Sequence, residues 1–223
     1  MGSTHFVFDG KQVQISPDLG SIVTFLQGIE QETTSLLKDD STSMKYLRSK
    51  MICLFASLET LLCLHIAYSH NTSDEGIIVG VARKGRDRKS FLDTYCLASG
   101  NEWVKNNKDR AKYIKSDDLI KMRNSLTHFY SIKKSLSIGP QSHASESRKI
   151  EKRTGFKVVF ISPEDLSEII QDTFMLMMKK WSTDCLAFHG KSDEFKERIL
   201  KVRNLIDNEG AKTLIFNVNR VSG

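Results

Sequence analysis

The stretch from Met44 to His70 constrains the fold more than any other part of the chain. Leu47, Met51, Leu54, Leu58 and Leu61 recur at spacings of three and four, the period of one helical face. Ile52, Phe55, Leu62 and Ile66 line a second face, so the pattern predicts a helix apolar around most of its circumference, one that other elements must enclose. Glu59 is the lone acid in its middle, and a carboxylate there needs a cation or a set of hydrogen bonds. The longest apolar run, Met51 to Leu58, stops at Glu59 and reads as too short for a bilayer span. With no signal-type stretch at the start, the reading excludes secretion and membrane insertion and expects a cytoplasmic protein.

The flanking sequence supplies the rest of the framework. Phe6 to Ile15 alternates apolar and polar residues around Asp9-Gly10, the chemistry of a two-residue hairpin turn, so a β-hairpin is expected over residues 1–16. Ser16-Pro17-Asp18 offers an N-cap, a proline at the first helical position and an acid near the positive helix end, predicting a helix to about Lys38. The same grammar recurs at Ser162-Pro163-Glu164-Asp165, after a strand expected over Phe156 to Ile161 and before a helix to about Thr183. Shorter helices are expected over Ser90 to Ala98 and Asp193 to Ile206, and strands over Leu136 to Ile138, paired with the 156–161 segment, and over Leu214 to Val218. The Ser-rich, basic segment 139–154 has the composition of a mobile loop. The expected fold is therefore mainly α, a single domain over residues 1–223 with a small peripheral β elaboration.

The formal charge of +6 is unevenly distributed. Lys105 to Arg153 holds 13 basic and 5 acidic residues, and Arg83, Lys84, Arg86, Arg88 and Lys89 crowd around Asp87, while the remainder is net acidic. Two basic stretches in one half favour a polyanionic partner, nucleic acid ahead of a membrane, over two solvated surfaces. The five bases from Arg83 to Lys89 read either as a solvated loop or as a contact to the RNA backbone, together with Lys121. The four cysteines show no metal or disulfide spacing and read as free thiols, so no metal site is expected, and the Cys185/His189 pair lacks further ligands. Trp103 and Trp181 read as core anchors rather than base-stacking platforms.

The chemistry concentrates in a helix expected from Asp117 to about Ser131, capped by Ser116, with Leu119, Met122, Leu126, Phe129 and Tyr130 as its apolar stripe. Near its end stands Arg123-Asn124-Ser125-Leu126-Thr127-His128. An arginine, a polar residue, three more residues and a histidine followed by an aromatic resembles the R-x(4-6)-H motif of HEPN domains (higher eukaryotes and prokaryotes nucleotide-binding). The long preceding helix with Glu59, and the strand and helix from Phe156 to Thr183, are similar to the rest of that layout, in outline over residues 17–185. The resemblance implies a HEPN-like helical bundle, a homodimer and, as in many members, a metal-independent endoribonuclease of a toxin or antiviral-defence type, needing no cofactor and held in check by an inhibitory protein partner. It also admits a non-catalytic RNA-, nucleotide- or protein-binding module.

Attack by a ribose 2′-hydroxyl needs a group that exchanges protons near neutral pH and a cation for the phosphate. In the nuclease reading His128 is the general acid/base, Arg123 the phosphate clamp, Asn124 an orienting residue and Glu59 a tuning carboxylate. At about 100° per residue, Arg123 and His128 lie about 140° apart around the helix, so they do not share a face, whereas Asn124 and His128 do. A two-fold dimer with this helix at a shared cleft would bring them together. The plain alternatives are a half-buried ion pair between Arg123 and Glu59, and an ordinary surface histidine favoured by the helix dipole.

Overall fold

The computed structural model describes the backbone at residues 4–8, 11–15, 47–129, 136–139, 158–187 and 192–207, with further described positions within 20–35 that are all helical. Two strands, β1 (Thr4–Phe8) and β2 (Lys11–Ile15), pair antiparallel with Phe8 opposite Lys11. That register leaves a two-residue connection, as Asp-Gly chemistry demands. Within 20–35, Ile22 is fully buried and Phe25 packs on the core, so the apolar side of the expected first helix faces inward.

The central element is α1 (Leu47–Ser69). It contains neither glycine nor proline, and its buried residues include both Leu54, Leu58 and Leu61 and Phe55, Leu62 and Ile66. Both predicted apolar faces are thus covered. By length and composition it could cross a membrane, but most of its apolar stretch is buried inside the protein. This corrects the sequence expectation that no apolar stretch here reaches membrane length: Ser57, Glu59 and Thr60 interrupt the run without lowering the mean hydropathy below that of a span. The helix ends where Asn71 adopts a left-handed conformation (φ 49°) and the Thr72 N–H returns to the Ala67 carbonyl at 3.0 Å, closing the last turn.

After that turn, Asp74 caps α2 (Glu75–Arg83) by accepting the Ile77 N–H at 3.0 Å. Next comes α3 (Gly85–Phe91), which widens into a π turn over Leu92–Cys96. Two sequence expectations change here. The basic cluster is helical rather than a loop, and the helix expected over Ser90–Ala98 begins earlier and ends as a π turn. Gly76, Gly80 and Gly85 obscure the pattern, since glycine disfavours helix locally and only the cap and the packing of Ile78, Val79 and Ala82 offset that cost.

Short helices α4 (Glu102–Asn106) and α5 (Lys108–Ala111) lead to α6 (Ser116–Phe129). Ser116 is the first helical residue of α6 rather than its cap; Asp118 reaches back to accept the Lys115 N–H at 3.1 Å, placing the cap one residue earlier. Strands β3 (Leu136–Ile138) and β4 (Val159–Ile161) pair in parallel, Leu136 opposite Val159. Then α7 (Pro163–Ala187) starts with a reciprocal cap: Ser162 Oγ accepts the Asp165 N–H and Asp165 Oδ2 accepts the Ser162 N–H, both at 3.0 Å. Asp165 is fully buried, and its carboxylate also accepts from Trp103 Nε1 and pairs with Arg110, tying α7 to α4 and α5. The last described helix, α8 (Ser192–Asp207), joins α7, α2 and α6 around α1.

Tyr68 stacks on Trp181 with ring centroids 4.8 Å apart, and Trp103 and Trp181 are both core residues, as expected from sequence. The protein is mainly α. The expected segment 139–154, apart from Gly139, and the expected strand over Leu214–Val218 lie outside the described residues.

Candidate functional site

The motif helix α6 meets α1 and α3 along the stripe Leu119, Met122 and Leu126, all buried. This packing fixes the rotation of α6, and with it the direction of Arg123, one residue beyond Met122. Arg123 turns inward. Its side chain is only 5% exposed, and its Nε lies 3.3 Å from Glu59 Oε1. Its Nη2 lies 3.5 Å from Glu59 Oε2, and its Nη1 donates to Asn124 Oδ1 at 3.0 Å. The ion pair between Arg123 and Glu59 anticipated from sequence is therefore present. Burial pushes the guanidinium below its ordinary pKa; the Glu59 carboxylate opposes that fall and the Arg88 charge adds to it.

Arg88 completes the cluster. From α3 its Nη2 donates to Glu59 Oε2 at 3.1 Å, with its side chain 13% exposed. Sequence reading placed Arg88 among surface bases; its pairing with Glu59 was not anticipated. A signal was available, because a lone acid inside an apolar helix calls for cations, and 88 falls three residues before Phe91, a core residue of the same helix. The charge on Glu59 also acts on Cys63, one turn along α1, whose thiol is pushed up to about 12, mainly by burial and then by that carboxylate.

The remaining bases of the cluster divide by position. Arg83, Lys84, Arg86 and Lys121 are exposed, and Lys89 forms an exposed pair with Asp117 at 3.2 Å. Arg83 closes the last turn of α2 and Arg86 opens the first turn of α3, so the kink at Lys84 gathers the bases at the junction of two helices. The backbone places His128 on α6, one helical turn beyond Asn124, and its side chain lies outside the described residues. Glu59, Arg88, Arg123 and Asn124 are thus brought together, whereas the exposed bases stand outside that buried set.

A pocket of about 20 Å³ opens beside the cluster, lined by Glu59, Arg88 and Arg123 and by apolar side chains of α1, α3, α6 and the π turn, among them Phe55, Leu62 and Phe91. By size it admits about one water-sized group. No protein-family model matches the chain, and neither a curated protein nor a solved structure matches it significantly.

Proposed function

We propose that the chain is a HEPN-like, metal-independent endoribonuclease that works as a homodimer, with His128 as general acid/base. The observation that carries this reading is the linkage Glu59–Arg123–Asn124, which orients the polar face of α6 one turn before His128. In it Arg123 acts as a positioning residue: its guanidinium fixes the Asn124 amide, and Asn124 and His128, four residues apart, share a face. The exposed bases Arg83, Lys84, Arg86 and Lys121 supply the electrostatic attraction for RNA. Cytoplasmic placement, a role in toxin or antiviral-defence systems and an inhibitory protein partner belong to the same proposal.

A second reading, a non-catalytic RNA- or nucleotide-binding module, is favoured by the burial of Arg123. A guanidinium held by Glu59 and only 5% exposed does not reach a phosphate as a clamp without leaving its partner.

Cleavage of a defined RNA in the presence of EDTA separates the two. The nuclease produces a 2′,3′-cyclic phosphate and a 5′-hydroxyl, and a 2′-deoxy substitution at the scissile nucleotide blocks it. His128→Ala should lower the rate by about 10² to 10⁴ while RNA binding persists. Equal cleavage by wild type and His128→Ala would remove the nuclease reading, and binding without cleavage would leave the module.

A further inference from the structure

Glu59 is the single carboxylate shared by two guanidinium groups, and the residues lining the adjacent pocket carry a net charge of one positive unit. The two arginines are not equivalent. Arg123 is directed to both Glu59 and Asn124, its Nε lying 3.3 Å from Glu59 Oε1, whereas Arg88 meets Glu59 through Nη2 and its buried Nε has no hydrogen-bond partner among the described residues. A buried N–H of a charged group left without an acceptor is costly, and an anionic oxygen is the acceptor that relieves it best.

We propose that this pocket is a binding site for one singly charged oxyanion of the kind a phosphodiester presents, with Arg88 as the residue that touches it. Glu59 and Arg123 are the positioning pair that holds Arg88 at the pocket wall. Charge selects the ligand: one excess positive unit matches a phosphodiester, while a doubly charged phosphate monoester would set uncompensated negative charge beside Glu59 in a low-dielectric wall. Size limits what enters: about 20 Å³ admits a single anionic oxygen, with the phosphorus and its ester groups remaining at the pocket mouth, and neither a base nor a nucleoside. With Nη2 of Arg88 already given to Glu59, the charged Nε–H is the donor for that one oxygen. The inference rests on the RNA reading for the source of the phosphodiester; the anion chemistry of the pocket is independent of it.

The test measures binding of two probes, dimethyl phosphate and a 2′-O-methyl RNA oligonucleotide, at fixed ionic strength, to wild type, Arg88→Gln, Arg88→Lys and the distant surface control Lys196→Gln. Arg88→Gln leaves Glu59 paired with Arg123, so circular dichroism should show an intact fold; should it not, Arg88→Lys, which keeps the charge, carries the comparison. Loss of about tenfold or more in affinity for both probes in Arg88→Gln, a smaller loss in Arg88→Lys and none in Lys196→Gln are expected. Equal oligonucleotide binding by wild type and Arg88→Gln overturns the pocket while leaving the RNA reading standing. Dimethyl phosphate binding that depends on Arg88, without oligonucleotide binding, upholds the pocket and removes RNA as its source. No binding of dimethyl phosphate by wild type overturns the site.

Discussion

Replacing Glu59 by glutamine keeps the shape of the side chain and removes its charge, which leaves Arg88 and Arg123 facing each other without the carboxylate they share. Removing one partner of a buried ion pair costs about 3–5 kcal/mol, because the remaining charge stays desolvated. The two arginines bear this unequally. Arg88, 13% exposed, can swing toward water, whereas Arg123, 5% exposed and anchored to Asn124, cannot, so the lower end of that range, about 3 kcal/mol, is the expected cost. For a chain of 223 residues the unfolding entropy at the midpoint is about 0.5 kcal/mol per kelvin, and the melting temperature should fall by about 6 °C. Scanning calorimetry at neutral pH reads this directly. The triple variant Glu59→Leu, Arg88→Met, Arg123→Met, which replaces all three charges by apolar groups, should recover at least half of the loss. A shift below about 1 °C in Glu59→Gln would refute the reasoning, since the carboxylate would then be neither desolvated nor holding the arginines.

Three further outcomes can be checked. His65 lies against the rings of Phe91 and Tyr95, and burial, reinforced by Lys180 and His70, lowers its pKa from 6.5 to about 4. Between those values the unfolded chain binds more protons, so stability falls as pH drops below about 6.5; the loss from pH 7 to pH 5 should be about 2 kcal/mol larger in wild type than in His65→Gln, and parallel denaturant-stability profiles would contradict it. Light scattering should report about 50 kDa, twice the 25.3 kDa chain, and a fully active monomer would exclude the shared cleft. Neutralising exposed Arg86 and Lys121 together should reduce the salt dependence of RNA affinity by about two units of slope without changing the melting temperature, and an unchanged slope would return these bases to the solvated surface.

The local elements were legible in the sequence because local interactions decide them. The capping box at Ser162 and Asp165, the two-residue hairpin turn and the enclosed helix around Glu59 each follow from side chains within a few positions of one another. Where glycines weakened the periodicity, as from Gly76 to Gly85, the helices were missed, because tertiary packing supplies the stabilisation that the local signal lacks.

The candidate site divides in the same way. Sequence alone determined that Glu59 required a cation or a set of hydrogen bonds and that Asn124 and His128 share a face of their helix, since desolvation and the 3.6-residue period hold in any fold. Only the tertiary structure decided that two arginines answer to Glu59 and that Arg123 points into the core. Arg88 and Glu59 are 29 residues apart, and their meeting depends on how α3 packs on α1, a relation set by the fit of Phe55, Leu62 and Phe91 rather than by any pattern along the chain.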